Sequence, residues 1–404
     1  MNILYALDSY KPNIDGVAVS IERQALALIR WNHRVSIVAP SVRWDEYQEW
    51  DGPIRVYRVR SVRVVQEHRM AVASRDSVNA VLDQVRPNVV VAVLPFPLSR
   101  QVVSLARERG IPVVGISGTV PEWVLYNAGF VRPMWKLVQP LVWSAITGFY
   151  NQCDWVVGVT ETAVRLLKKG GLKRPARVIS NGVDLDLFRP RPRHEGLVQR
   201  LGIPRKPTVL YTGRLDPDKC MDVWVNAVPH VLERVDAHFI IGGNGTDKPR
   251  LQNLVEKMGL TRHVTFAGFL DSSEYPDIYS LADVFAISSP TELQSIVTLE
   301  AAASELPIVA VNAGALPELV HHGRNGFLFA RDNSREMGEA LAILLKDPAL
   351  RRQMGQESRR IAQAHDLWQA MRAYEALYSA VSAGSSPPLE PVMAAVQSEA
   401  RAPQ

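Results

Sequence analysis

Several features are scarce or missing in this sequence of 404 residues. Only two cysteines occur, Cys153 and Cys220, which are too few for a disulfide framework or a zinc site built from cysteines. The longest apolar runs are about as long as a β-strand and fall well short of the ~20 residues of a membrane-spanning helix. Met1–Leu7 shows neither the basic start nor the small-residue cleavage site of an export signal. We therefore expect a cytoplasmic protein, with peripheral association at the inner face of the cell membrane as an option.

Common nucleotide-binding motifs are missing as well. No Walker A sequence occurs, and the glycine loop Ile241–Gly245 is followed by Lys248, not by the third glycine of a dinucleotide fingerprint. No recognition-helix or zinc-finger pattern appears either. Nucleic acid is therefore not an expected partner.

The composition is that of a globular protein, with 47% hydrophobic and 22% charged residues. The net charge of +5 is unevenly distributed. Residues 1–190 contain 24 Lys+Arg and 16 Asp+Glu, whereas residues 191–404 contain 22 and 25. The basic first half suggests an anionic partner for that part of the chain.

Short apolar strands alternate with amphipathic helices along both halves. In the first half, strand Ile3–Leu7 and helix Leu98–Arg109 are examples, and in the second half strand Thr208–Thr212 and helix Ser273–Leu281. Alternation of this kind predicts the α/β class. We expect two doubly wound parallel-sheet, Rossmann-like domains that face each other across a cleft.

The domain boundaries are predicted from composition. Residues 1–188 form the first domain and residues 208–365 the second. Prolines at 190, 192, 204 and 207 are expected to break any regular element in the linker, residues 189–207. A helix over 366–383 should cross back to the first domain, and the Pro/Ala/Glu-rich residues 384–404 should be a disordered tail.

The segment Pro290–Pro307 carries a pair of glutamates. Glu292 lies on the loop after a predicted strand, and Glu300 follows on a helix that begins near Ser295. Both carboxylates could accept hydrogen bonds from hydroxyls of a ligand over the helix start, where free backbone N–H groups favour an anion. A polyhydroxylated phosphate ester would suit such a site. The alternative is two solvated glutamates on a helix.

Cations follow the strand Thr208–Thr212. Gly213 allows a tight turn, and Arg214 and Lys219 come next on a loop that opens a helix. A guanidinium fork and an ammonium can together hold a diphosphate. The alternative is a surface loop of salt bridges with Asp216 and Asp218, and we interpret the Asp-x-Asp pattern of these two residues as such a loop. Gly16 and Gly243 mark two further glycine loops after strands.

These motifs, in this order, resemble the retaining glycosyltransferases of family 4, which have the GT-B fold. The resemblance extends over most of the chain. It is carried by Pro12–Gly16, Asn181–Asp184, Phe188, Pro190, Gly213–Leu215, Lys219, Gly243, Gly245, Val264–Gly268, Glu292, Glu300, Leu306–Ala310, Ala315–Glu318, Gly323 and Asn325–Gly326.

The resemblance implies a nucleotide-diphosphate sugar as donor, held mainly by the second domain, with no metal and no other cofactor. The catalytic residues would be Arg214, Lys219 and Glu292. The two cations would bind the diphosphate, and Glu292 would bind the sugar. Glu300 would bind the ribose. The remaining donor-binding residues would be Gly16, Gly213, Gly243, Gly268, Phe269, Leu270, Leu293, Gln294, Ser295 and Ile296.

The chain departs from the family at several positions. No histidine occurs between His68 and His194, although the family places one on the loop that here reads Ile116–Pro121. On this loop, Ser117 and Thr119 are the candidate substitutes. Ser295 and Glu305 stand where glycine is usual. These losses leave open a slow enzyme or a protein that binds a sugar nucleotide without transferring the sugar.

The first domain should bind the acceptor. Besides Ser117 and Thr119, the candidate residues are Trp123 and Tyr126, in a segment rich in tryptophan. Arginines interleaved with apolar residues suit an anionic membrane surface, and they are Arg55, Arg58, Arg60, Arg63 and Arg69. An exposed strand and a core-packing helix would explain the same residues.

The predicted activity is retaining hexosyl transfer, with UDP-glucose as the preferred donor and a membrane lipid such as diacylglycerol as the acceptor. The sugar-site sequence from Glu292 to Gln294, Glu-x-Gln, favours a lipid because lipid-glycosylating members of the family often share it. The alternatives are a soluble sugar or natural-product acceptor, a sugar-nucleotide epimerase, and a non-catalytic binding protein.

Overall fold

The computed structural model describes residues 1–12, 16–65, 68–118, 121, 134–385 and 387. These residues divide into two compact units. The first unit contains the described residues of 1–121 and 134–181 together with those of 368–387, and the second contains 182–367. Thr119, Trp123 and Tyr126, and most of the predicted tail, lie outside the described residues.

The first unit is built on an eight-stranded sheet in the order β10-β9-β8-β7-β1-β2-β4-β3. Its pairs are parallel except for that of β3 with β4 at one edge. A separate hairpin of β5 and β6 follows β4. The ten strands are β1 (Asn2–Ala6), β2 (Arg34–Pro40), β3 (Tyr47–Asp51), β4 (Ile54–Val59), β5 (Ser61–Val65), β6 (His68–Ala71), β7 (Val89–Ala92), β8 (Val113–Ser117), β9 (Trp155–Gly158) and β10 (Ala176–Val178).

Helices accompany this sheet in the pattern of a doubly wound fold. They are α1 (Gly16–Arg30), α2 (Arg75–Val85), α3 (Pro97–Glu108), α4 (Trp135–Tyr150) and α5 (Glu161–Lys169). Each central strand reads as an unbroken apolar run, such as Val89–Ala92, because both faces of a parallel sheet are covered. Sequence periodicity finds such strands easily because they have no polar face.

The second unit contains a six-stranded sheet in which every pair is parallel, in the order β13-β12-β11-β14-β15-β16. The strands are β11 (Thr208–Thr212), β12 (His238–Gly242), β13 (Val264–Gly268), β14 (Val284–Ile287), β15 (Ile308–Val311) and β16 (Gly326–Phe329). The chain moves outward in one direction from β11 to β13 and then returns to β14 on the other side of β11. This reversal creates a crevice at the carboxyl ends of β11 and β14, where doubly wound sheets bind their ligands.

The remaining helices cover the second sheet or end the chain. They are α6 (Glu195–Leu201), α7 (Met221–Leu232), α8 (Lys248–Lys257), α9 (Ile296–Ala303), α10 (Ser334–Lys346), α11 (Pro348–Gln363) and α12 (Leu367–Ser382). From Trp368 onwards, α12 belongs to the first unit, where the Tyr374 hydroxyl donates to the Ile179 carbonyl over 3.3 Å. Among the described helices, none has both the length and the apolar character needed to cross a bilayer.

The predicted fold class is confirmed, with corrections to individual elements. Regular structure does occur between residues 189 and 207, because α6 forms between the prolines and is capped after Leu201 by Gly202, whose φ is +64°. The segment predicted as helix Ser273–Leu281 is a 3-10 helix, Tyr275–Leu281, with a proline at its start. Strand β16 and helices α10 and α11 were not predicted.

Candidate functional site

The loops that follow β11, β12 and β13 are joined by backbone hydrogen bonds. The Gly213 N–H donates to the Gly242 carbonyl over 3.0 Å, and the Gly243 N–H donates to the Gly268 carbonyl over 2.7 Å. A Cβ at Gly243 would lie 2.0 Å from the Gly213 carbonyl oxygen, and the φ of Gly243 is +117°. Only glycine is therefore compatible with this packing, which fixes the backbone that leads to Arg214.

Lys219 lies in the crevice between β11 and β14, at the end of the short 3-10 helix Pro217–Lys219. Its Nζ is 2.8 Å from Glu292 Oε1 and 3.2 Å from Asp218 Oδ2. Burial acts to lower the pKa of Lys219, but the charges of Glu292 and Asp218 outweigh it and raise that pKa above its ordinary value. The ammonium therefore stays charged.

Arg214 pairs with Asp216, and its side chain is about one third exposed. Asp216 also accepts from the Thr246 N–H over 3.0 Å and so links the loops after β11 and β12. The positive charge of Arg214 acts to lower the pKa of Lys219, which indicates that the two cations lie within electrostatic range of each other. The structure thus brings together the two cations that the sequence singled out.

The Glu292 loop is clamped from two sides. The Ser288 hydroxyl lies 3.0 Å from the carbonyl oxygens of both Lys219 and Cys220 and shares its one hydrogen between them. On the other side, the Ala315 N–H donates to the Glu292 carbonyl over 2.9 Å. The carboxylate of Glu292 is therefore held on a backbone that has little freedom to move.

Helix α9 begins at this loop, as predicted. Ser295 is its N-cap, with a φ of −78°, and its hydroxyl accepts from the Thr298 N–H over 3.3 Å. A glycine is not required at this φ, so the serine is tolerated where the family usually has glycine. Gln294 and Ser295 are buried, and Leu293–Ile296 present the backbone that opens the helix.

Glu300 lies one turn and a half into α9 and is 2% exposed. Its Oε2 accepts from the hydroxyls of Tyr275 and Tyr279, each over 2.9 Å. The Tyr279 hydroxyl is also 3.0 Å from Thr212 Oγ1, at the end of β11. The alternative of solvated glutamates is therefore wrong for Glu300.

The predicted base-binding residues lie at the end of β13. Gly268 is its last residue, Phe269 is 65% exposed, and Leu270 is buried. Beside them, Lys248 Nζ donates to Asn244 Oδ1 over 2.8 Å. Phe269 is thus an exposed aromatic ring on a loop that is joined to the Gly213 loop.

Two of the predicted residues belong to the first unit. Gly16 is the first residue of α1. Ser117 ends β8 and is buried.

The basic cluster predicted for the first unit is only partly a surface. Arg58 is buried; its Nε donates to Glu49 Oε1 over 2.7 Å, and its terminal nitrogens donate to the Pro40 and Lys11 carbonyls. Arg58 is therefore a structural residue of β4, and its interpretation as part of a membrane-facing cluster is wrong. Arg60 and Arg63 are exposed.

Residues missed by the sequence analysis include Asp218, Tyr275 and Tyr279. Asp218 is 3% exposed, so its interpretation as a surface-loop residue is wrong. The four-residue spacing of the tyrosines was the only available signal for them. Among the described residues, no group of three or more His, Cys, Asp or Glu side chains could hold a metal ion.

Two protein families match consecutive parts of the chain. Residues 14–187 match the family described as Glycosyltransferase Family 4, and residues 196–361 match the family described as Glycosyl transferases group 1. Together the two matches extend over both units.

Curated relatives are similar to the chain over regions of different length. A GDP-mannose-dependent alpha-(1-6)-phosphatidylinositol monomannoside mannosyltransferase of Mycobacterium tuberculosis is 32% identical over 59% of this chain and 64% of that protein. The alpha-monoglucosyldiacylglycerol synthase of Streptococcus pneumoniae is 27% identical over 86% of this chain and 79% of that protein. The chain thus spans less than two thirds of the length of the first of these relatives.

Solved structures share the fold. Sucrose-phosphate synthase from Thermosynechococcus elongatus superposes with a TM-score of 0.80 at 20% identity, over 95% of this chain and 99% of that one. Alr3699/HepE of Anabaena, solved in complex with UDP-glucose, superposes with a TM-score of 0.73 at 20% identity, over 93% and 99%. Residues 14–187 and 196–361 therefore carry the two matched glycosyltransferase family regions, and the likeness to the solved structures shows that the chain has the GT-B fold.

Proposed function

We propose that the protein transfers a hexose from a nucleotide-diphosphate sugar to a hydroxyl acceptor with retention of anomeric configuration. The observation that carries the proposal is the partly buried ion pair of Lys219 with Glu292, which joins the two loops at the crevice between β11 and β14. A charged ammonium and a carboxylate side by side suit a ligand that has both phosphate oxygens and sugar hydroxyls.

The donor would lie across this crevice. A lysine ammonium has three N–H donors, and with Asp218 and Glu292 as two acceptors the third can take a diphosphate oxygen. Arg214 would exchange Asp216 for the phosphates, or share its guanidinium between them. The N-terminus of α9 would add backbone N–H groups to the same anion.

The resemblance to the family supports the placement of the other parts of the donor. Glu292 and the Leu293–Ser295 backbone would bind the sugar hydroxyls, and Glu300 the ribose. Phe269 would cover the base, together with Gly268 and Leu270.

Transfer breaks the bond between the anomeric carbon and the diphosphate oxygen. The acceptor oxygen bonds to the same carbon on the same face, and the acceptor proton passes to an oxygen of the leaving diphosphate. Negative charge develops on the diphosphate as the bond breaks, so fixed cations at Arg214 and Lys219 stabilise the transition state more than the bound substrate. No metal or other cofactor is needed in this scheme.

A membrane lipid such as diacylglycerol is the proposed acceptor. Met134, Leu137 and Leu141 follow helical spacing and are 58%, 75% and 70% exposed, next to Lys136. Helix α4 contains no acidic residue. An exposed apolar face with a neighbouring cation suits an anionic bilayer surface. The names of the mycobacterial and pneumococcal relatives, which refer to lipids, support the same acceptor class.

The experiment begins with the donor. UDP-glucose, GDP-mannose and ADP-glucose are screened by thermal shift, because a ligand that binds only the folded state raises its stability. The radiolabelled form of the donor that binds is then incubated with vesicles that contain diacylglycerol and, separately, with soluble sugars. UDP-glucose is expected to bind and label is expected in lipid. The anomeric configuration of the product, measured by NMR, tests retention.

Two results would contradict parts of this proposal. Label confined to soluble sugars would remove the lipid acceptor. A thermal shift with a donor but no transfer to any acceptor would favour the second candidate, a non-catalytic binding protein. The absence of histidine between His68 and His194 is the observation that favours this second candidate.

A further inference from the structure

The Glu300 carboxylate is held by a pair of tyrosines that belong to another part of the chain. Tyr275 and Tyr279 come from the 3-10 helix that precedes β14, whereas Glu300 lies on α9, which follows β14. Both hydroxyls reach the same oxygen, Oε2, over 2.9 Å, and they lie 3.1 Å from each other. A third hydroxyl, that of Thr212, lies 3.0 Å from the Tyr279 hydroxyl.

The available hydroxyl hydrogens determine which group donates and which accepts in this cluster. Each tyrosine has a single hydroxyl hydrogen, and burial together with the charge of Glu300 raises the pKa of Tyr275 and Tyr279 well above the ordinary value, so both stay protonated. Both therefore donate to Oε2. Tyr279 then accepts from Thr212, which gives a directional chain from the end of β11 to the carboxylate.

The rings of the two tyrosines are themselves fixed. Phe188 meets Tyr275 and Tyr279 edge to face, with ring centroids 6.2 and 5.7 Å away, and the two tyrosine rings are 5.9 Å apart. Aromatic rings packed in this way keep their hydroxyls in one place. Two fixed donors on one oxygen prevent rotation of the carboxylate, so its plane is set before any ligand arrives.

We propose that Tyr275 and Tyr279 are positioning residues that orient Glu300 for the two hydroxyls of a ribose and so make the site selective for ribonucleotide over deoxyribonucleotide donors. The proposal rests on the assignment of Glu300 to the ribose in the proposed function. A carboxylate that accepts from two neighbouring hydroxyls must lie near their common plane, and a carboxylate free to rotate loses much of this preference. The tyrosines act through Glu300 and need not touch the nucleotide.

The test compares the affinities of UDP and 2′,3′-dideoxy-UDP, measured by calorimetry for the wild type, Tyr275→Phe, Tyr279→Phe and Glu300→Gln. GDP and its dideoxy form are run in parallel. The wild type should bind the ribonucleotide at least roughly tenfold more tightly, as expected for hydrogen bonds to a charged group. Each tyrosine variant should weaken ribonucleotide binding alone, so that the ratio of the two affinities approaches that of Glu300→Gln.

A merely structural role for the tyrosines would give a different result. Loss of packing would weaken the binding of the ribonucleotide and of the dideoxynucleotide equally. The ratio of the two affinities would then stay at its wild-type value, which would overturn the proposal. Tyr374→Phe is the matched control, since it removes a buried tyrosine hydroxyl in the first unit and should leave the ratio unchanged. Tyr275 is partly exposed, so its variant should fold even where Tyr279→Phe does not.

The outcome also separates this inference from the function on which it rests. Failure of the wild type to bind either ribonucleotide would contradict the assignment of the donor site and the inference with it. Binding by the wild type with an unchanged ratio in both tyrosine variants would contradict the inference alone.

Discussion

The Nζ of Lys219 lies 2.8 Å from Oε1 of Glu292, and this contact joins two residues that are 73 positions apart in the chain. One comes from the loop after β11 and the other from the loop after β14, the two strands between which the sheet order reverses. The contact holds the two loops together at the crevice. Removing either residue would therefore leave the other as a partly buried charge without its main partner.

Replacing Lys219 by glutamine should lower the transfer rate at least a hundredfold, the scale observed when one donor to a developing oxyanion is removed. The physical reason is the loss of a charged donor at the leaving diphosphate. The measurement is kcat with saturating donor. Lys206→Gln is the matched control, because Lys206 pairs with Asp236 on the exposed surface and its variant should keep the wild-type rate. Near-normal turnover of the Lys219 variant would remove the diphosphate role.

Arg214→Ala should also lower kcat/KM on the order of a hundredfold, because in the proposed function the guanidinium is the second fixed cation for the diphosphate. Arg214→Lys should recover part of this loss, since it keeps the charge but not the two-pronged hydrogen bonding. Steady-state kinetics of both variants provide the measurement. Arg234→Ala, which breaks an exposed pair with Glu339, serves as the control and should leave kcat/KM unchanged. Equal activity of Arg214→Ala and the control would contradict the assignment.

Sequence periodicity predicted the parts of this fold that depend on local pattern. Strand Thr208–Thr212 has the predicted bounds, and helix α3 lies within one residue of the predicted Leu98–Arg109, because each is a complete apolar run or a complete amphipathic face between clear turn signals. Helix α6 was not predicted, because the prolines of the linker were expected to break any regular element there. All of these prolines lie outside the helix. Proline breaks only the element that contains it.

Burial of charged residues could not be predicted in the same way. Arg58 was expected on a basic surface and Asp218 in a surface loop, yet both are buried, since their environments are made by residues distant in sequence, Lys11 and Ser289 among them. The tyrosine pair around Glu300 also depends on the order of strands in the sheet. Spacing along the chain carries no information about that order.

Gly243→Ala should abolish the thermal shift produced by a nucleotide. The added Cβ would lie 2.0 Å from the Gly213 carbonyl oxygen, so the loops after β11 and β12 must separate and Arg214 must move. Gly259→Ala is the matched control. It also places alanine at a positive φ, +68°, but in open space, and should cost only about 1–2 kcal/mol in the free energy of unfolding while the ligand shift is retained. A normal shift in Gly243→Ala would show that the loop packing does not support binding.

Glu305→Gly should stabilise the protein by about 1 kcal/mol, because the φ of Glu305 is +61° and a side chain in the left-handed region is strained. Glu305→Ala keeps the Cβ and with it the strain, so it should give no such gain. Chemical denaturation of the two variants and the wild type measures the difference. Equal stability of the glycine and alanine variants would indicate that the conformation of this residue stores no strain.

His238 should make the protein less stable in mild acid. Burial, assisted by the positive charges of His263, Lys206 and Arg193, lowers the pKa of His238 from an ordinary 6.5 to about 4. In the unfolded chain His238 is therefore protonated below about pH 6.5, whereas in the folded protein it is protonated only below about pH 4. The contribution is fully present above pH 6.5 and is lost as the pH falls through this window, by up to about 3 kcal/mol in the free energy of unfolding.

The variant His238→Gln should lack this loss while it keeps a hydrogen-bonding group near Thr265, whose Oγ1 lies 2.9 Å from His238 Nε2. Denaturation curves at pH 7.5 and pH 4 for the wild type and the variant isolate the effect, since every other titrating group contributes equally to both. The variant should be the less stable protein at pH 7.5 and should gain on the wild type as the pH falls. A constant difference between the two proteins at both pH values would mean that His238 takes up its proton equally well in the folded and unfolded chain, and burial would then not control its charge.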